Sequence, residues 1–154
     1  MHDAQVVSEI LETLDRYSAT YARHDLDGIL ALFAPGSDIV LLGTGADEKR
    51  IGFDQVEQQF ERNFDETEAS TITWGWRHVA VVGSMAWVAA DAVIAARVAG
   101  KDVRFPIRMT IVLERRDGAW LWVHRHASVP AAGQEMGKSY LTRGYTERND
   151  ASSR

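Results

Sequence analysis

Hydrophobic residues in the first part of the chain recur at helical spacing. Val6, Val7, Ile10, Leu11, Leu14, Tyr17 and Tyr21 fall on one face, which predicts an amphipathic helix over residues 3–23. A second, shorter helix is predicted from Asp25, whose carboxylate can cap it. It would bury Leu26, Ile29, Leu30 and Phe33 before Pro35-Gly36 stops it. The run DIVLLG (38–43) reads as a short strand, and Phe53, Val56, Phe60 and Phe64 predict a third helix over 53–66.

From residue 70 the character changes. Long β-rich segments at 70–82, 85–98, 103–115 and 119–129 are separated by the turn signals Gly83-Ser84, Gly100-Lys101 and Asp117-Gly118. That spacing predicts an antiparallel meander of consecutive hairpins. The alanine-rich AWVAADAVIAARVAG has helical propensity, but its place between two hairpin turns makes strand the better assignment. Pro106 predicts a bulge or an edge position. Three helices followed by a meander define an α+β protein with its helices packed on one face of a twisted sheet. The opposite face is then left polar or in contact with another molecule. Residues 1–130 are expected to form one domain, and the polar, glycine-containing segment 131–154 an arm or disordered tail.

Composition narrows the function classes. A chain of 154 residues, 45% of them hydrophobic, is long enough for one real core. Its net charge of −5, with both signs interspersed, argues against nucleic acid as a partner. The absence of cysteine excludes disulfides, thiolate metal sites and cysteine nucleophiles. No apolar run approaches the roughly 18 residues of a membrane span, and the acidic, helical start MHDAQVVSEI does not read as a signal peptide. The expectation is a soluble cytoplasmic domain that needs neither metal nor cofactor.

Two stretches carry a resemblance. DLDGILALFAPGSDIVLLGTGADEKRIGFDQV (25–56) and RMTIVLERRDGAWLWVHRHASVP (108–130) resemble the SnoaL-like group of the nuclear transport factor 2-like superfamily. In looser form they also resemble the association domain of calcium/calmodulin-dependent kinase. The likeness spans roughly residues 5–130 and implies a cone-shaped fold, three helices on a strongly curved, mainly antiparallel sheet. That fold hosts isomerases, cyclases, dehydratases, hydrolases and interaction modules, so it does not decide function.

Comparison with ketosteroid isomerase implies that Tyr17 stands where that family has its oxyanion tyrosine, a donor able to stabilise an enolate. A core tyrosine is the competing reading. Leu41 stands where that family has its catalytic aspartate, so familiar steroid isomerisation is not expected. Asp91 lies in an otherwise apolar strand, on the face of Trp87, Ala89 and Val93. Burying an unpaired carboxylate costs several kcal/mol. Asp91 is therefore expected to project into the cavity between sheet and helices as an acid or base, or else to pair with Arg125 or Arg108. The kinase domain has a pocket-lining arginine at the position of Asp91, and the opposite charge here sets the ligand class apart. It also has a pocket residue at the position of Asp54, which helix-dipole stabilisation explains equally well. Trp87 and Arg125 complete the expected ligand-binding set.

WLWVHRHASVP (120–130) splits with a period of two into Trp120, Trp122, His124, His126 and Leu121, Val123, Arg125, Ala127. A two-residue Asp-Gly turn and a three-residue turn with a bulge place opposite sets inward. The three-residue form aligns Arg108 and Thr110 with the histidines and is preferred. The relatives imply that Val123, Arg125 and Ala127 face inward. A homodimer contact around Trp120, Trp122, His124 and His126 on the outer sheet face follows. Two functional readings stand open. One is a small-molecule-binding protein with acid–base chemistry of isomerase, cyclase or dehydratase type on an apolar, oxygen-bearing ligand. The other is a non-enzymatic dimerisation or ligand-sensing module.

Overall fold

A computed structural model describes residues 3–142. Helix α1 (Ala4–Ala22) is capped by Asp3, whose carboxylate accepts from the Gln5 amide at 2.9 Å. It buries Ile10, Leu14, Tyr17 and Tyr21 as their spacing predicts. Helix α2 is only Leu26–Leu30, capped by Asp25 through the Gly28 amide at 2.9 Å. Beyond it the chain leaves the helix to form a parallel bridge between Phe33 and Trp122. Strands β1 (Val40–Leu42) and β2 (Lys49–Ile51) follow, and β2 had no signal in the sequence pattern. Helix α3 (Phe53–Glu66) starts after Gly52, whose φ of 87° favours glycine.

The meander is present as β3 (Ala69–Val82), β4 (Met85–Val98), β5 (Lys101–Arg116) and β6 (Ala119–Ser128). The six-stranded sheet runs β2-β1-β6-β5-β4-β3, antiparallel except where β1 lies parallel to β6. The turn between β4 and β5 is Ala99-Gly100, one residue earlier than expected, with both φ values positive. Pro106 pairs with Val93 on one side and lies beyond the end of β6 on the other, a local edge.

Two bulges bend the sheet. In β3, Gly75 and Trp76 together oppose Asp91. In β6, Val123 is the extra residue, because Val112 pairs with His124 while Leu113 pairs with Trp122. An extra residue on one strand kinks it and increases its twist, so the sheet curls around α1. Among the described residues, no helix is long and apolar enough to cross a membrane. Residues 131–142 carry turns but neither helix nor strand, and the rest of the expected tail, 143–154, lies outside the described residues.

The bulge at Val123 corrects the reading of the last strand. Asp117 and Gly118, with φ of 51° and 81°, form a two-residue turn, not the expected three-residue one. Strict alternation from that turn would carry both tryptophans and both histidines on one face. The bulge breaks the series, so Trp120, Trp122, Arg125 and Ala127 face inward, and His124 and His126 face outward. Trp122 is fully buried, stacked on Tyr17 with centroids 4.7 Å apart, and donates from Nε1 to Thr13 Oγ1 at 2.9 Å. The two tryptophans are therefore core residues and not part of an outer-face contact. Trp122→Ala should cost about 3–5 kcal/mol, as large-to-small core changes do. Val82→Ala, on a side chain 64% exposed, should stay within about 0.5 kcal/mol. Urea unfolding measures both, and a small loss at Trp122 would contradict the bulged register.

Candidate functional site

A cavity of about 180 Å³ opens between α1, α3, the β1–β2 loop and the inner face of the sheet. Helix α1 contributes Tyr17 and Tyr21 one turn apart, and α3 contributes Asn63 and Glu66. Strands β3, β4 and β5 contribute the apolar wall of Ile72, Ile94, Phe105 and Met109. Arg125 reaches in from β6.

Arg125 is the unusual member. It is 5% exposed, and no carboxylate lies within 4 Å of it among the described residues. Nη1 donates to the Leu42 carbonyl at 3.2 Å, while the buried Nε has no hydrogen-bond partner. A guanidinium stays charged at any physiological pH, and buried charges are normally paired. This one is only partly satisfied.

Burial pushes the Tyr17 phenol above its ordinary value, partly offset by the positive charge of the neighbouring Arg125. Burial likewise raises Tyr21, with Tyr17 adding to the rise and Arg125 and Asn63 opposing it. Both phenols therefore remain protonated donors at neutral pH. Asn63 is itself held by Gln59, whose Nε2 donates to Asn63 Oδ1 at 2.8 Å.

The loop 43–48 closes one side. Arg62 of α3 donates to Asp47 Oδ2 at 2.7 Å and to Glu48 Oε1 at 2.9 Å. Glu48 therefore pairs with Arg62. Its carboxylate lies against Gly43, where a Cβ would collide with it.

The expected site residues separate. Tyr17 and Arg125 meet in the cavity. Asp91 and Trp87 do not: β4 turns Ala86, Val88, Ala90 and Ala92 inward and both of these residues outward. Asp91 instead pairs across the sheet with Arg108, Nε to Oδ1 at 3.5 Å, with both side chains half-exposed or more. Its strand is apolar on both faces, so burial could not identify the inner one. Asp54 is exposed in the first turn of α3 and does not line the cavity. Tyr21 and Asn63 were missed. The i, i+4 spacing of Tyr17 and Tyr21 was the available signal.

A larger concavity of about 530 Å³ lies on the outer side, between Thr73, Asp91, Val93, Arg108, Ser128 and Pro130. Its charged pair is solvated and satisfied, and no buried polar group points into it. On the outer face, burial and then His126 lower the pKa of His124.

The fold and cavity define a class: an open α+β cone whose interior joins an apolar wall to a small polar cluster. A family model described as the SnoaL-like domain matches residues 10–132, and the chain belongs to that family. Solved structures agree on the fold. A Xanthomonas campestris protein assigned as a calcium/calmodulin-dependent protein kinase II association domain shares 27% identity over 86% of this chain and 91% of its own, with a TM-score of 0.71. A nuclear transport factor 2-like superfamily protein from Salmonella enterica serovar Typhimurium shares 21% over 92% and 99%, with a TM-score of 0.79. A Streptomyces avermitilis protein of the NTF2-like family, assigned as a dehydratase, shares 19% over 82% and 97%, with a TM-score of 0.75. Among curated proteins, none matches the sequence.

The tyrosines generate a pH prediction. Their folded pKa values lie above the unfolded value of 10.0, so above about pH 10 the unfolded chain binds fewer protons than the folded one. Stability then falls as pH rises. Denaturant midpoints should decline from about pH 10 upward, and the decline should be shallower in Tyr17→Phe. An unchanged slope in that variant would place the Tyr17 hydroxyl in water.

Two exposed partners make Asp91–Arg108 a weak pair. Asp91→Asn should change stability by less than about 1 kcal/mol, and thermal melts of the variant check this. A loss of several kcal/mol would place the carboxylate inside the cone.

Proposed function

We propose that this chain is a cytoplasmic small-molecule-binding protein whose ligand occupies the cone beside Tyr17 and Arg125. The observation that carries the reading is the buried Arg125 guanidinium, incompletely paired within a cavity whose β3–β5 wall is apolar. Binding sites of this kind place a few polar groups on an otherwise hydrophobic surface to fix a ligand's orientation. With Asp91 outside the cone, acid–base chemistry on a bound oxygen would fall to the protonated Tyr17 as donor. The ligand-binding domain spans residues 1–130 in this reading, with the segment from 131 as an arm.

Ligand-detected NMR with a small set of single-ring compounds tests the site, using wild type and Ile94→Trp, in which the cavity is filled. Signals lost in the variant support the reading. Signals that persist would move the site to the outer concavity, and none in either protein would sink it.

The module reading draws on a separate observation. Trp76 and Trp87 are 58% and 44% exposed on the outer sheet face, the face that also carries His124 and His126. Large amphipathic side chains of this type anchor interfaces. We propose a homodimer through that face, with Trp76 and Trp87 replacing Trp120 and Trp122 as its aromatic anchors. Light scattering should report a dimer for wild type and a folded monomer for Trp87→Glu with His124→Glu. A monomeric wild type at micromolar concentration refutes the contact.

A further inference from the structure

The unpaired part of Arg125 has a shape. Nη1 is occupied by the Leu42 carbonyl, whereas Nε is buried without a partner, and Nη2 donates to no described residue. The free side of the fork is thus Nε with Nη2, two parallel donors on one edge. That edge matches the two oxygens of a carboxylate, which guanidinium binds through paired N–H···O bonds.

The surroundings set the ligand's charge. Among the described residues, Arg125 is the one cation lining the cavity. Glu48 and Glu66, which line it as well, are both turned toward Arg62, at 2.9 and 3.8 Å. One negative charge matches that of Arg125, whereas a dianion would leave an excess next to Glu48 and Glu66. Tyr17 adds a hydroxyl beside Arg125 that can donate to the same oxygens.

Size sets the rest. An engineered cavity of about 150 Å³ holds benzene, so about 180 Å³ takes one ring or a branched chain of similar bulk together with its head group. A fused polycycle or a nucleotide is too large. The apolar wall of Ile72, Ile94, Phe105 and Met109 is where that body would pack.

We propose that the ligand is a small monocarboxylate with a single-ring-sized apolar body, its carboxylate held side-on by Nε and Nη2 of Arg125. This rests on the reading that the cone is the binding site, and it adds the ligand's charge and size.

Calorimetric titration of the full chain uses benzoate as probe, with benzyl alcohol and phenyl phosphate as comparisons. Benzoate is expected to bind at least about 10-fold more tightly than either, the worth of a hydrogen bond to a charged group. Arg125→Met should weaken benzoate by about 10- to 100-fold while leaving benzyl alcohol within about 3-fold, a difference under 1 kcal/mol. Circular dichroism checks that the variant is folded. Should it fail to fold, Tyr17→Phe serves instead, with a selective loss of benzoate affinity expected. Equal binding of benzoate and benzyl alcohol overturns the carboxylate while leaving the cone as the site. Tighter phenyl phosphate overturns the monoanion. Benzoate affinity unchanged in both variants overturns the role of Arg125, and no binding by any ring compound overturns the cone itself.

Discussion

Trp122 ties the molecule together. Its ring stacks on Tyr17 of α1 and meets Phe33 edge-on, with centroids 5.5 Å apart, and its indole N–H ends on Thr13. Its backbone is bound on the same side, donating to the Leu32 carbonyl at 2.8 Å and accepting from the Ala34 amide at 2.9 Å. One residue therefore fixes the first helix, the segment after the second helix and the last strand relative to one another. Aromatic burial of this kind supplies a large share of a small core's stabilisation. The indole donor would otherwise be buried without a partner, which restricts the ring to one orientation.

The irregularity next to Trp122 makes the interior useful. Were β6 to alternate without interruption, an inward Trp122 would put His124 inward and Arg125 in water. The unpaired Val123 reverses the order, and a permanently charged side chain enters the cone directly beyond the tryptophan. The same strand thus serves as core at its start and as pocket wall further on. Arg125 is costly to hold in this state, because its Nε is buried without a partner and no described carboxylate answers its charge. A site that departs from the general rule of satisfied burial is where a scaffold shows its function.

Membership of the SnoaL-like family places the chain in a fold, and the fold leaves the chemistry open. Here the inner tyrosines are donors kept neutral by burial, and the carboxylate at the mouth is engaged by Arg62. The aspartate that stands out in the sequence lies on the far side of the sheet.

Residue types and spacing alone determined every element but β2. The helical spacing of Ile10, Leu14, Tyr17 and Tyr21 located α1, and Phe53, Val56, Phe60 and Phe64 located α3. Short turns delimited four long strands, with β4 found over its full span of 85–98. Each of these is a local signal that needs no knowledge of the partner surface. The facing of β4 and β6 was decided only in the tertiary structure. In β4 the residues Ala86, Val88, Ala90 and Ala92 on one side and Trp87, Ala89 and Val93 on the other are similarly apolar, so a period of two did not say which side the helices would cover. That placed Asp91 wrongly in the cone. In β6 one inserted residue changes the parity of all that follow, and Val123 looks like any strand valine until Leu113 and Val112 claim the residues on either side of it. Tyr17 could be named from its place on the helix, but its neighbour Arg125 could be assigned to it only once the sheet had curled around α1.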